Sequence, residues 1–127
     1  MRLRGRRTKV REFLPPDLLP DDIVAVFDQM SLADARAQTE PYRGCWLRVR
    51  GRLSDAVRLE RNLAVARFAH GAGVLGDPSV RVEMYFRGQS IERLNGRNRE
   101  DAVVIGQIME ILPAQIVLDF CELDDGP

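Results

Sequence analysis

The stretch "CWLRVRGRL" at residues 45–53 limits the fold more than any other part of the chain. Its apolar set is Cys45, Leu47, Val49, Gly51 and Leu53, and its other set is Trp46, Arg48, Arg50 and Arg52. Strict alternation of this kind belongs to a strand with one face in a core and the other outside. A glycine inside such a strand marks a bulge, a bend or a close approach of another backbone. The pattern returns once: "VRGRL" at 49–53 and "VIGQI" at 104–108 both read Val-x-Gly-x-aliphatic. Two long strands that each carry an interior glycine suit a small barrel, whose strands must curl to close.

Period two governs the chain from Tyr42 onward. Strands are expected at about 44–55, 57–69, 79–87, 101–111 and 115–123. In the third, Val80, Val82, Met84 and Phe86 alternate with Arg81, Glu83, Tyr85 and Arg87. The second, "RLERNLAVARFAH", also reads as a helix with Leu59, Leu63 and Ala66 on one face. "SIERLNG" gives a short helix ended at Asn95-Gly96. Before Tyr42 the period is helical. Pro20 suits a first turn, Asp21 and Asp22 follow where the helix dipole favours negative charge, and Ile23, Val26, Phe27 and Met30 form one stripe. That stripe is expected to cap the open end of the barrel. Ser31 reads as the N-cap of a second helix ending near Thr39, before Pro41.

The chain of 127 residues has room for one domain with its own core. Its hydrophobic content of 45% and charged content of 30% are those of an ordinary globular protein. No apolar run reaches the length of about 18 residues that a membrane helix needs. The N-terminus is basic without the apolar stretch of a signal peptide, so the expected location is the cytoplasm. Cys45 and Cys121 read as buried free thiols. His70 is the only histidine and no paired Cys or His spacing exists, so no metal site is expected. Residues 1–19 read as a basic, flexible tail, 20–40 as a helical extension, 41–124 as the β domain and 125–127 as an acidic end.

Five strands with a short helix between the third and fourth describe a mainly β protein: a five-stranded OB-fold-like barrel with an N-terminal helical extension. From about Leu18 to Leu123 the chain resembles the bacterial tRNA-anticodon-binding-like OB-fold domains. The resemblance is carried by "PYRGCWLRVRGRLSDA", "LNGRNREDAVVIGQI" and "IVLDFCEL". It implies a fold and a mode of binding, and it brings no catalytic residues with it.

No catalytic constellation stands out. "HGAGVLG" lacks the lysine and hydroxyl residue of a phosphate loop, and His70 has no motif partner. The chain is therefore read as a non-enzymatic binding module without a cofactor. OB barrels bind oligonucleotides on the face of their second and third strands, where cations line the path and aromatics stack on bases. Tyr85 is the expected stacking residue. Arg81 and Arg87 beside it, Arg67 on strand two, and Arg48, Arg50 and Arg52 on strand one are the expected phosphate contacts, with Arg58 and Arg61 nearby. The expected ligand is single-stranded DNA or RNA, bound with a steep salt dependence. Glu83 at the centre of that face, a turn of only "LPA" between the last two strands, and a net charge of zero favour the alternative, a protein-interaction module or adaptor subunit. Trp46 is expected to wedge against the preceding helices.

Overall fold

Alternation at 46–52 forms strand β1 (Trp46–Arg52), with Leu47, Val49 and Gly51 buried and Arg48, Arg50 and Arg52 exposed. The computed structural model describes residues 11–54, 56–68, 80–97 and 100–124. The other strands are β2 (Val57–Glu60), β3 (Leu63–Arg67), β4 (Arg81–Arg87), β5 (Asp101–Leu112) and β6 (Gln115–Leu123). Helices α1 (Pro20–Val24) and α2 (Leu32–Thr39) precede them, and α3 (Gln89–Asn95) lies between β4 and β5.

The six strands form one mixed sheet in the order β1-β5-β6-β4-β3-β2. All neighbours are antiparallel except β4 and β6, which run parallel. A closed five-stranded barrel is therefore not what the ladders form. No described ladder joins β1 to β3; their edges meet at the bridge Leu53↔Phe68 and at a 2.7 Å hydrogen bond from the Ser54 amide to the Arg67 carbonyl. The sixth strand comes from splitting the long second strand expected at 57–69. Glu60 pairs with Leu63, so Arg61-Asn62 makes a tight turn, and β2 folds back on β3 as a hairpin. Asparagine tolerates turn geometry well, which makes Asn62 the local reason for the break.

One core serves the whole sheet. Leu47, Val49 and Leu53 of the β1 side share it with Ala64, Ala66 and Phe68 of the β3 side, and with Val82, Met84, Phe86, Ile108 and Leu118 between. This sharing explains the repeated glycine. A Cβ on Gly51 would stand 2.8 Å from Cδ1 of Phe68, and one on Gly106 would stand 2.6 Å from Sγ of Cys121. Both glycines let a neighbouring element press against the strand.

Residues before the sheet depart from the expected pattern in two ways. Helix α1 ends at Val24 and tightens into a 3-10 turn over Ala25–Asp28. Ile23 and Val24 of α1 are in the core, and the tighter turn that follows rotates the face and leaves Val26, Phe27 and Met30 half-buried. The Asp22 carboxylate accepts the Leu19 amide at 3.0 Å, and Ser31 caps α2 by accepting the Asp34 amide at 3.1 Å. The segment taken for tail is partly engaged: Trp46 donates its amide to the Glu12 carbonyl at 2.8 Å, and Leu14 donates to the Trp46 carbonyl at 2.9 Å. Residues 1–10, 69–79 with His70, and 125–127 lie outside the described residues. Among the described residues, no helix is long and apolar enough to cross a membrane.

The close approach at Gly106 yields a stability prediction. Gly106→Ala forces Cys121 and Leu118 apart and should cost about 1–3 kcal/mol in urea unfolding, the range of core overpacking. Gly96→Ala, where no atom lies within 4 Å of a new Cβ, should leave the midpoint unchanged.

Candidate functional site

Strand β4 presents Arg81, Glu83, Tyr85 and Arg87 outward while Val82, Met84 and Phe86 are buried, as the alternation predicts. Register with β3 places Val65 opposite Tyr85, Arg67 opposite Glu83 and Leu63 opposite Arg87. Register of β3 with β2 places Val57 opposite Val65. A row of exposed Val57, buried Val65 and half-buried Tyr85 thus crosses three strands.

Carboxylates already engage most of the arginines on this face. Arg67 donates to Glu83 at 2.8 Å, and Tyr85 donates its hydroxyl to the other Glu83 oxygen at 3.0 Å. Arg87 forks onto Asp119 with two hydrogen bonds of 2.8 and 2.9 Å. Partial burial and the bond to Glu83 raise the Tyr85 phenol above its ordinary value, so Tyr85 stays a donor at neutral pH. Burial alone would raise the Asp119 carboxyl. The Arg87 hydrogen bonds, the Phe120 amide and the Arg87 charge outweigh that effect and hold it below the ordinary carboxylate range.

The expected site residues divide into two groups. Arg67, Arg81, Tyr85 and Arg87 share the β3/β4 face. Arg48, Arg50 and Arg52 stand on β1, which β5 and β6 separate from β4 along the sheet. Arg48 pairs with Asp124 at 2.8 Å and lies 4.9 Å over the Phe13 ring. The Trp46 ring meets Arg11 at 4.2 Å and Phe13 at 6.4 Å, residues N-terminal to the helices against which it was expected to wedge. Arg11 in turn pairs with Glu122 at 2.8 Å. The side chains of Arg50, Arg52 and Arg81 form no ion pair among the described residues. Arg58 donates to the Arg61 carbonyl in the β2–β3 turn.

Sequence reasoning passed over Asp119 and Phe120. Met84 pairs with Leu118 and Phe86 with Cys121, so Asp119 and Phe120 together oppose Tyr85 in a bulge. Phe120 has φ +53° and is 50% exposed, and its ring lies under the Arg87 guanidinium at 5.2 Å. Of the cysteines, Cys121 is buried, and burial pushes its thiol far up. Cys45 is only half-buried, against the expectation for both.

No protein-family model matches the chain, and no curated protein matches it. Its fold is similar to the crystal structure of a putative nucleic acid-binding lipoprotein from Klebsiella pneumoniae. The two share 16% identity with a TM-score of 0.58, over 81% of this chain and 86% of that one. At that identity the likeness speaks for the fold.

The Asp119 pair carries a pH prediction. A carboxyl held below its unfolded value of about 3.9 stabilises the fold above that pH, and the contribution is lost as pH falls through the lower folded value. Urea unfolding should therefore show Asp119→Asn less stable than the wild type at pH 7. The gap should shrink steadily between about pH 5 and pH 2.

Proposed function

We propose that the protein is a non-enzymatic, OB-like binding module that takes single-stranded nucleic acid on the β3/β4 face. The strand order β1-β5-β6-β4-β3, with β4 and β6 parallel and the Leu53↔Phe68 bridge linking the two ends, supports the OB-like reading. The observation that carries the functional reading is the outward grouping of Tyr85 with Arg67, Arg81 and Arg87, backed by the exposed Phe120. Cations beside aromatics on one sheet face form the surface that unpaired bases and their backbone need. The fold neighbour, itself named a putative nucleic acid-binding lipoprotein, agrees with this reading.

Ion pairing changes the expected mode of binding. Arg67 and Arg87 each hold a carboxylate, so a phosphate must compete with Glu83 or Asp119 to reach them. Long-range attraction is small, and on β4 Arg81 is the guanidinium with no ion pair among the described residues. The protein-interaction reading draws on β2. It is the edge of the sheet, and its Val57 and Leu59 are exposed.

Fluorescence anisotropy with labelled single-stranded DNA and RNA tests the proposal. Binding should appear at low salt, and Tyr85→Ala should weaken it by about 1–3 kcal/mol. The slope of log K against log salt should be shallow, about −0.7 for each of one or two phosphates contacted. This departs from the steep dependence that the arginine count alone implies. Absence of binding at low salt would remove the nucleic-acid reading and leave the β2 edge as the surface to follow.

A further inference from the structure

Strand β6 carries a feature that packing alone leaves unexplained. Through the bulge, Asp119 and Phe120 occupy the place opposite Tyr85, and the ladder with β5 shifts at the same point, from Gln107↔Asp119 to Ile105↔Glu122. Phe120 takes the left-handed region, with φ +53°. A bulky side chain seldom adopts it, and such strain concentrates where a side chain is being aimed. Three hydrogen bonds hold the arrangement. Asp119 Oδ1 accepts the Phe120 amide at 2.6 Å and Arg87 Nε at 2.8 Å, and Oδ2 accepts Arg87 NH2 at 2.9 Å. The guanidinium fixed in this way lies over the phenyl ring, yet half of Phe120 remains exposed. A large aromatic is held out of the core, in a strained backbone, next to the row of Val57, Val65 and Tyr85.

We propose that Phe120, braced by Arg87, is a stacking platform for an unpaired nucleobase, and that the ligand is recognised through base faces more than through phosphates. The inference rests on the nucleic-acid reading above and assigns the moiety bound and the residue that binds it. Charge decides between base and phosphate. The Arg87 cation is satisfied by a bidentate carboxylate, so a phosphate there would meet Asp119 at close range. A base laid on the ring breaks none of these bonds. Bases in a duplex are stacked on each other and offer no free face, so the occupant is single-stranded.

Anisotropy titrations of the full chain test this with three probes: a labelled single-stranded oligonucleotide, the same length carrying abasic sites, and the duplex. The wild type should bind the intact strand best, and the abasic strand about tenfold or more weakly, the size of a lost aromatic stack. Phe120→Leu keeps an apolar cover over Arg87 but lacks a π face. It should lose about tenfold for the intact strand, little for the abasic strand, and keep its Tm, while Phe120→Trp should restore affinity. Unchanged affinity in Phe120→Leu, or equal binding of intact and abasic strands, overturns the platform and leaves the nucleic-acid reading standing. A fall in Tm in both variants that accounts for the loss marks the ring as structural and likewise overturns it. Wild type that binds no oligonucleotide at low salt defeats the underlying reading itself, and the platform with it.

Discussion

Everything in this fold depends on one sheet burying one core between its β1 edge and β3, the strand next to the other edge. The β1 and β3 ends contribute Leu53 and Phe68 to the same cluster, although a single bridge is all the sheet pairing that joins them among the described residues. A flat sheet cannot bring its edges together in this way. The strands bend, and the ladder of β5, the longest strand, with β6 shifts register at Ile105/Gln107 and Ile108/Glu110. Gly51 and Gly106 sit where neighbours crowd the backbone, under Phe68 and against Cys121. Curvature and close approach then settle what faces outward, because each strand has one side committed to the core.

That commitment explains which parts of the fold were legible. In β1 and β4 one face is buried along the whole strand, and the period of two is correspondingly clean. The helix before β5 and the Ser31 cap were legible for local reasons: a Gly after Asn95 and a hydroxyl before an acidic turn. The β2–β3 hairpin was not. Strand β2 buries neither face, so no pattern separates it from β3, and only Asn62 hints at the turn. The end of α1 at Val24 was also hidden, since a 3-10 turn preserves apolar content while it shifts the face.

The site was legible only in part, for a different reason. Residue types and their direction follow from the alternation, which is why Arg67, Arg81, Tyr85 and Arg87 are found together. Their electrostatic state does not follow. Arg87 finds its carboxylate on β6, Arg48 finds one at Asp124, and Arg11 finds one at Glu122. These partners lie far along the chain, and a zero net charge does not say which charges meet. The exposed pairs among these, Arg48–Asp124 and Arg11–Glu122, add little stability. On the proposed reading their larger effect is on recognition, because they neutralise part of the cationic surface and give aromatic contact more weight against long-range attraction.

The bulge in β6 differs from both cases, since the sequence contains the conflict without its resolution. In "IVLDFCEL" strict alternation would bury Ile116, Leu118, Phe120 and Glu122, and so place a carboxylate in the core. The opposite register would expose Ile116 and Leu118. One extra residue between Leu118 and Cys121 removes the conflict, and Ile116, Leu118, Cys121 and Leu123 are then all buried. Which residue bears the distortion is decided by local chemistry. The short carboxylate of Asp119 reaches the next amide and also the Arg87 fork. That stabilises a turned backbone at Phe120, where glycine would be free of strain. The parity of the core requires a bulge here; it does not require an aromatic at its crest. The choice of phenylalanine at the strained position is the feature that points beyond folding.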